Sequence, residues 1–137
     1  MKIKKEYPPN YEEIKKVFKL HKGIIFTYGD TIYNPDDKYI DKSLEKHEEV
    51  HYKQQGDNPK EWWQRYLVDV NFRLSQEVKA YQIQYRTAKS INKDREKLNR
   101  YAQLLALDLS GVMYGKIILY QDAIIAIKSK QTFIFKV

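Results

Sequence analysis

The sequence predicts a compact α+β domain, mostly helical, with one antiparallel hairpin as its sheet. Three observations lead there. Apolar residues recur at helical spacing over several stretches after residue 40. One β-branched and aromatic run, Ile24 to Tyr33, is interrupted only by Gly29-Asp30. The chain has 137 residues, enough for one core with little room for a second, so residues 1–137 are expected to form a single domain.

In chain order, Pro8-Pro9-Asn10 ends an extended leader, and Asn10 with Glu13 three residues on reads as a helix start. Ile14, Val17 and Phe18 share a face there, and Gly23 is a natural stop. Ile24 to Tyr28 and Thr31 to Tyr33 then form the hairpin across Gly29-Asp30. Asn34-Pro35-Asp36-Asp37 is a turn that leads to a helix over about 42–55, stopped by Gly56-Asp57-Asn58-Pro59. One further helical region is expected over 60–88, with Leu67, Val70, Leu74, Val78, Tyr81 and Tyr85 inward and Trp62-Trp63 ahead of them. Another covers about 92–109, with Leu98, Tyr101, Ala102, Leu105 and Leu109 inward, followed by a loop at Val112–Gly115. A last helix begins near Gln121, and 132–137 alternates like a closing strand.

Composition narrows the chemistry. There are no cysteines, so a metal site would have to use histidine and carboxylate, and no disulfide framework exists. A net charge of +7 favours acidic partners in general, but the basic residues are scattered as on a solvated surface. No apolar run approaches the length of a membrane span. The N-terminal residues also lack the apolar core of a signal peptide, so the expected location is the cytoplasm.

The chain's most specific signal is His47-Glu48-Glu49-Val50-His51. On a helix, His47 and His51 lie one turn apart and can grip one metal ion, with Glu48 beside them to take a proton from an attacking water. Leu44, His47, Val50, His51 and Gln54 follow the stripe spacing, so the two imidazoles should point inward, where they need partners. Glu77 lies at the inward edge of the next helical stripe, where a carboxylate is costly unless its charge is compensated. Ala80, one turn on, is small enough to let the two helices approach closely. Together they suggest a three-ligand zinc site of His47, His51 and Glu77 with a position left for water. The bland alternative is a pair of core or surface histidines on a charged helix; Lys46, Glu49 and Lys53 surround the motif. The third histidine, His21, reads more simply as a cap or surface residue than as a ligand.

His47-Glu48-x-x-His51 with Glu77-x-x-Ala80-Tyr81 resembles the gluzincin branch of zinc metallopeptidases, in which a downstream helix supplies a glutamate ligand. The wider stretch, about residues 40 to 85, is similar to small metallopeptidase-like proteins of phage and bacterial origin. The resemblance implies a zincin-like fold with a small sheet above the metal-bearing helix, Zn2+ as cofactor, and hydrolysis of a peptide or protein substrate with Glu48 as general base. In the metzincin pattern the third ligand falls six residues after the second histidine, where Asp57 stands, and Met113-Tyr114 suggests that group's Met-turn. The glycine which that pattern needs would fall at Gln54, however, and Gly56 is out of register. Asp69 is a candidate partner for a ligand histidine. Tyr81, Tyr114 and Tyr120 are candidates to steady the oxyanion, and the edge of the 24–33 hairpin could bind substrate as an added strand. Two other classes remain: a structural or interaction protein stabilised by zinc, virion-associated or not, and a basic nucleic-acid-binding domain that stacks bases on Trp62-Trp63.

Overall fold

The computed structural model describes residues 1–130; the strand expected over 132–137 lies outside them. Helices α1 (Tyr11–Val17), α2 (Lys42–Gln55), α3 (Pro59–Val68), α4 (Val70–Ile91), α5 (Arg95–Leu109) and α6 (Tyr120–Lys128) accompany strands β1 (Lys2–Lys4), β2 (Phe26–Tyr28) and β3 (Thr31–Tyr33). The α+β expectation holds.

The hairpin forms as read. β2 and β3 are antiparallel with Thr27 opposite Ile32, and the tight turn uses Gly29 at φ +61°. The sheet is larger than the hairpin, because the leader is a strand. β1 lies parallel to β3, with Ile3 beside Ile32, which gives the strand order β1-β3-β2. All three β1 residues are exposed, so backbone pairing rather than side-chain burial holds this strand, and no hydrophobic alternation announces it.

Helix α2 occupies the expected span. Asp41 accepts from the Leu44 N–H at 2.8 Å to cap its start, and Gly56 ends it at φ +56°. The single helix expected over 60–88 is two helices. Asp69 is extended between them, and its carboxylate accepts from the Phe72 N–H at 3.0 Å. An aspartate that can cap a new helix competes with continuation of the old one. Arg73 then reaches back across the break: its Nε and Nη2 donate to the carbonyls of Tyr66 and Leu67 at 2.9 Å each, in the last turn of α3. Two residues assigned inward are not: Val17 and Val70 are both 46% exposed. Asn10 precedes α1, but its side chain makes no capping bond.

Two apolar clusters flank the middle of the molecule. One joins α4, α5 and α6 through Leu74, Val78, Leu105, Leu109 and Ile127. The other joins α1, β2 and α3 through Ile14, Phe18, Phe26, Trp62 and Trp63. Met113, on a 3-10 turn (Val112–Tyr114), packs against both. Helix α2 lies along α4 beside these clusters, the most extensive contact between any two elements. Ala80 is fully buried, as a close approach requires.

Candidate metal centre

The α2–α4 contact brings the three expected ligands together. Among the described residues, His47, His51 and Glu77 each offer a donor atom, and these atoms lie within 4.8 Å of one another. His47 Nε2 and His51 Nε2 are 3.2 Å apart, and each is 3.3 Å from a different oxygen of Glu77. All three side chains are buried, at 3–5% exposure.

The far side of each imidazole is anchored. Gln54 Nε2 donates to the carbonyl of Gln76 at 3.1 Å, which leaves Gln54 Oε1 to accept from His51 Nδ1 at 2.9 Å. A backbone carbonyl can only accept, so this chain of bonds places a proton on Nδ1 and aims Nε2 at the cluster. His47 Nδ1 meets Gln84 Oε1 at 2.8 Å, and Gln84 Nε2 donates in turn to the Tyr101 hydroxyl. Tyr66 donates its hydroxyl to Glu77 Oε2. Such outer partners set ring orientation at metal sites. Motif reading placed Gln54 on the inward stripe but gave none of the three this role: Gln54 and Gln84 sit three and seven residues after a ligand, on its own helical face, whereas Tyr66 comes from another helix and left no local signal.

The charges of His51 and Glu77 support each other. Burial pushes the His51 imidazole down, but the Glu77 carboxylate outweighs it and raises the group to about 9. Burial likewise pushes Glu77 up, and His51 and His47 overcome it, holding the carboxyl well below its usual range. Without a metal, a proton on His51 thus balances the carboxylate. Glu77 Oε1 is nevertheless buried without a hydrogen-bond partner, with His47 Nε2 3.3 Å away. An orphaned carboxylate oxygen beside one ring nitrogen, with a second ring nitrogen beside the other oxygen, fits a divalent metal of borderline softness.

Glu48 lies beside the cluster rather than in it. Thr27 Oγ1 donates to its Oε1 at 3.0 Å, and its Oε2 is 3.7 Å from His47 Nε2. Glu48 and His47 line two spaces at once: an inner cavity of about 60 Å³ and an outer cleft of about 450 Å³. Tyr114 also borders both, and its hydroxyl is 3.0 Å from that of Tyr81. Burial first, and the charge of Glu77 second, push both phenols up, so they stay protonated donors.

Several expectations are corrected. Asp57 is exposed in the turn after α2 and is not part of the cluster. Asp69 is spent on the α4 cap and an ion pair with Arg65, so it supports no ligand histidine. Tyr120 is 37% exposed at the start of α6 and lines neither space. His21 is exposed and bonds the carbonyl of Lys22. The β2 edge is not open at its centre: the Thr27 carbonyl accepts from Gln55 Nε2 at 2.8 Å and Trp63 Nε1 at 2.9 Å. Trp62 and Trp63 are 6% and 8% exposed, so neither presents a face for base stacking. Among the described residues, no helix is long and apolar enough to cross a membrane.

Comparison with protein families, with curated proteins and with solved structures finds no match. What the structure itself provides is the buried meeting of His47, His51 and Glu77, close enough to hold a metal ion.

Proposed function

We propose that the chain is a zinc-dependent peptidase. The observation that carries this reading is Glu77 Oε1, a buried oxygen without a hydrogen-bond partner that lies 3.3 Å from His47 Nε2 in the cluster with His51, with a second carboxylate, Glu48, lining the adjoining cleft. His47, His51 and Glu77 would hold the ion. Zinc, when bound, supplies Lewis acidity toward a carbonyl oxygen and makes a nearby water more acidic. The protein's own part begins with Glu48, which takes a proton from the water as its oxygen bonds to the amide carbon. The same carboxyl then returns the proton to the leaving nitrogen as the C–N bond breaks. Thr27 holds one oxygen of Glu48, and the other lies 3.7 Å from His47 Nε2, on the side of the cluster. Tyr114 or Tyr81 would donate to the developing oxyanion.

Metal analysis of the purified protein tests the proposal. About one zinc per chain is expected in the parent and in Glu48→Gln, with most of it lost in His47→Ala and Glu77→Ala. Hydrolysis of a mixed peptide pool should disappear in Glu48→Gln. Metal content indifferent to His47→Ala would sink the site. Burial favours a second reading: with Glu48 only 6% exposed, a structural metal in a non-catalytic interaction protein would serve the same geometry. That reading expects bound zinc, no hydrolysis by the parent, and unfolding on chelation.

A further inference from the structure

The two spaces that meet at Glu48 differ in size and in chemistry. Exposed residues, including Lys38, Tyr39 and Asp108, line the outer cleft of about 450 Å³. The inner cavity of about 60 Å³ is bounded by no exposed residue; Ile14, Phe18, Ile24 and Phe26 form much of its wall. Outside the metal cluster and Glu48 it has no charged side chain.

Its other polar side chains are already committed. Thr27 donates to Glu48, Tyr66 to Glu77, Trp62 to Gln76 and Trp63 to the Thr27 carbonyl, while Tyr114 pairs with Tyr81. Away from the ion, Glu48 and Tyr114, a charged or strongly polar substituent placed there would lose its water and find no partner. Size is as restrictive. A cavity of about 150 Å³ is known to take benzene; the inner cavity has less than half of that, and because His47, His51 and Glu77 line it, a bound ion would take part of the space.

An amide positioned for attack beside Glu48 has a substituent on each side of its C–N bond. Glu48 borders both the roomy cleft and the inner cavity, so each space is open to one substituent. We infer that the site accepts only amides whose inward substituent is small and uncharged: in a peptide, a Gly, Ala or Val beside the cut, with the rest of the chain in the outer cleft. This rests on the hydrolase reading above.

Zinc-binding hydroxamates test the limit without requiring turnover. Acetohydroxamate and isobutyrohydroxamate carry a small group beside the carbonyl, benzohydroxamate a ring, and glycine hydroxamate an ammonium. Binding is read from the visible spectrum of the cobalt-substituted chain. The first two should bind, and the last two should be weaker by about tenfold or more. Phe18→Ala should restore benzohydroxamate. Because Phe18 also covers Arg73, with the guanidinium 4.7 Å from its ring centre, Ile24→Ala provides a second enlargement on another part of the wall. Benzohydroxamate that binds the cobalt-loaded parent as tightly as acetohydroxamate overturns the size limit alone. A parent that takes up no metal overturns the metal centre and this inference with it. A peptide digest separates the remaining case: small hydroxamates that bind while no peptide is cut leave the size limit standing and remove the peptidase reading.

Discussion

At the scale of single residues, the candidate site depends as much on glutamines as on its ligands. Gln54 is held by the Gln76 carbonyl and orients His51, and Gln84 faces His47. Replacing either by leucine keeps the bulk and removes the acceptor for an Nδ1 proton. The ring can then rotate, or hold its proton on Nε2. Gln54→Leu and Gln84→Leu should each weaken zinc binding by roughly 10–100-fold while the fold persists. Competition against a chromogenic chelator measures it, with circular dichroism as the control. Unchanged affinity in both would mean that packing alone orients the rings. The His51 ring lies 5.4 Å from that of Trp62, and His47 meets the Tyr81 ring edge-on at 4.6 Å, so packing has a stake in the result.

At the scale of elements, the break between α3 and α4 sets where Glu77 points. Had the chain continued as one helix through Asp69, α3 could not also pack Trp63 against the hairpin while α4 lies along α2. Asp69 makes the corner by capping α4, and Arg73 closes it by taking up the last carbonyls of α3. Asp69→Ala should cost about 1 kcal/mol in denaturant unfolding, the usual worth of an N-cap. Zinc content should not change, because Asp69 touches neither histidine. A loss of metal in this variant with stability intact would restore Asp69 as part of the site.

At the scale of the whole molecule, the charge of the cluster links stability to pH. In the metal-free chain, His51 is raised from 6.5 to about 9, so its contribution to stability is fully present below pH 6.5 and is lost as pH rises through about 9. Glu77 is depressed from 4.5, so its contribution is present above pH 4.5 and is lost on further acidification. Metal-free protein should therefore be most stable between about pH 4.5 and 6.5 and should weaken toward alkaline pH. Zinc takes the place of the imidazole proton, so the alkaline decline should vanish when the metal is bound. Free zinc at a hundred times its Kd should add about 2.7 kcal/mol. Thermal unfolding between pH 5 and 10, with and without a chelator, checks both. Curves of the same shape in the two series would show that the cluster holds neither proton nor metal as described.

Local features are legible in the residues themselves. The ends of α2 follow from Asp41 and Gly56, the hairpin from Gly29-Asp30 between β-branched and aromatic runs, and the pairing of His47 with His51 from one helical turn. Each is decided by residues a few positions apart. Glu77 is inferable as a costly inward carboxylate, but its choice over Asp57 depends on α2 and α4 lying side by side. Other features also depend on distant contacts. β1 forms on exposed residues because β3 offers a parallel edge, and the helix break at Asp69 is closed by Arg73. Tyr66 reaches Glu77 from another helix, and the Thr27 carbonyl is covered by Trp63, 36 residues away. The sequence by itself therefore determined which residues could bind a metal and on which helix two of them stand. Only the tertiary structure decided which third ligand they meet, how deeply the site is buried and how little space lies behind it, because those depend on packing between segments whose spacing along the chain carries no period.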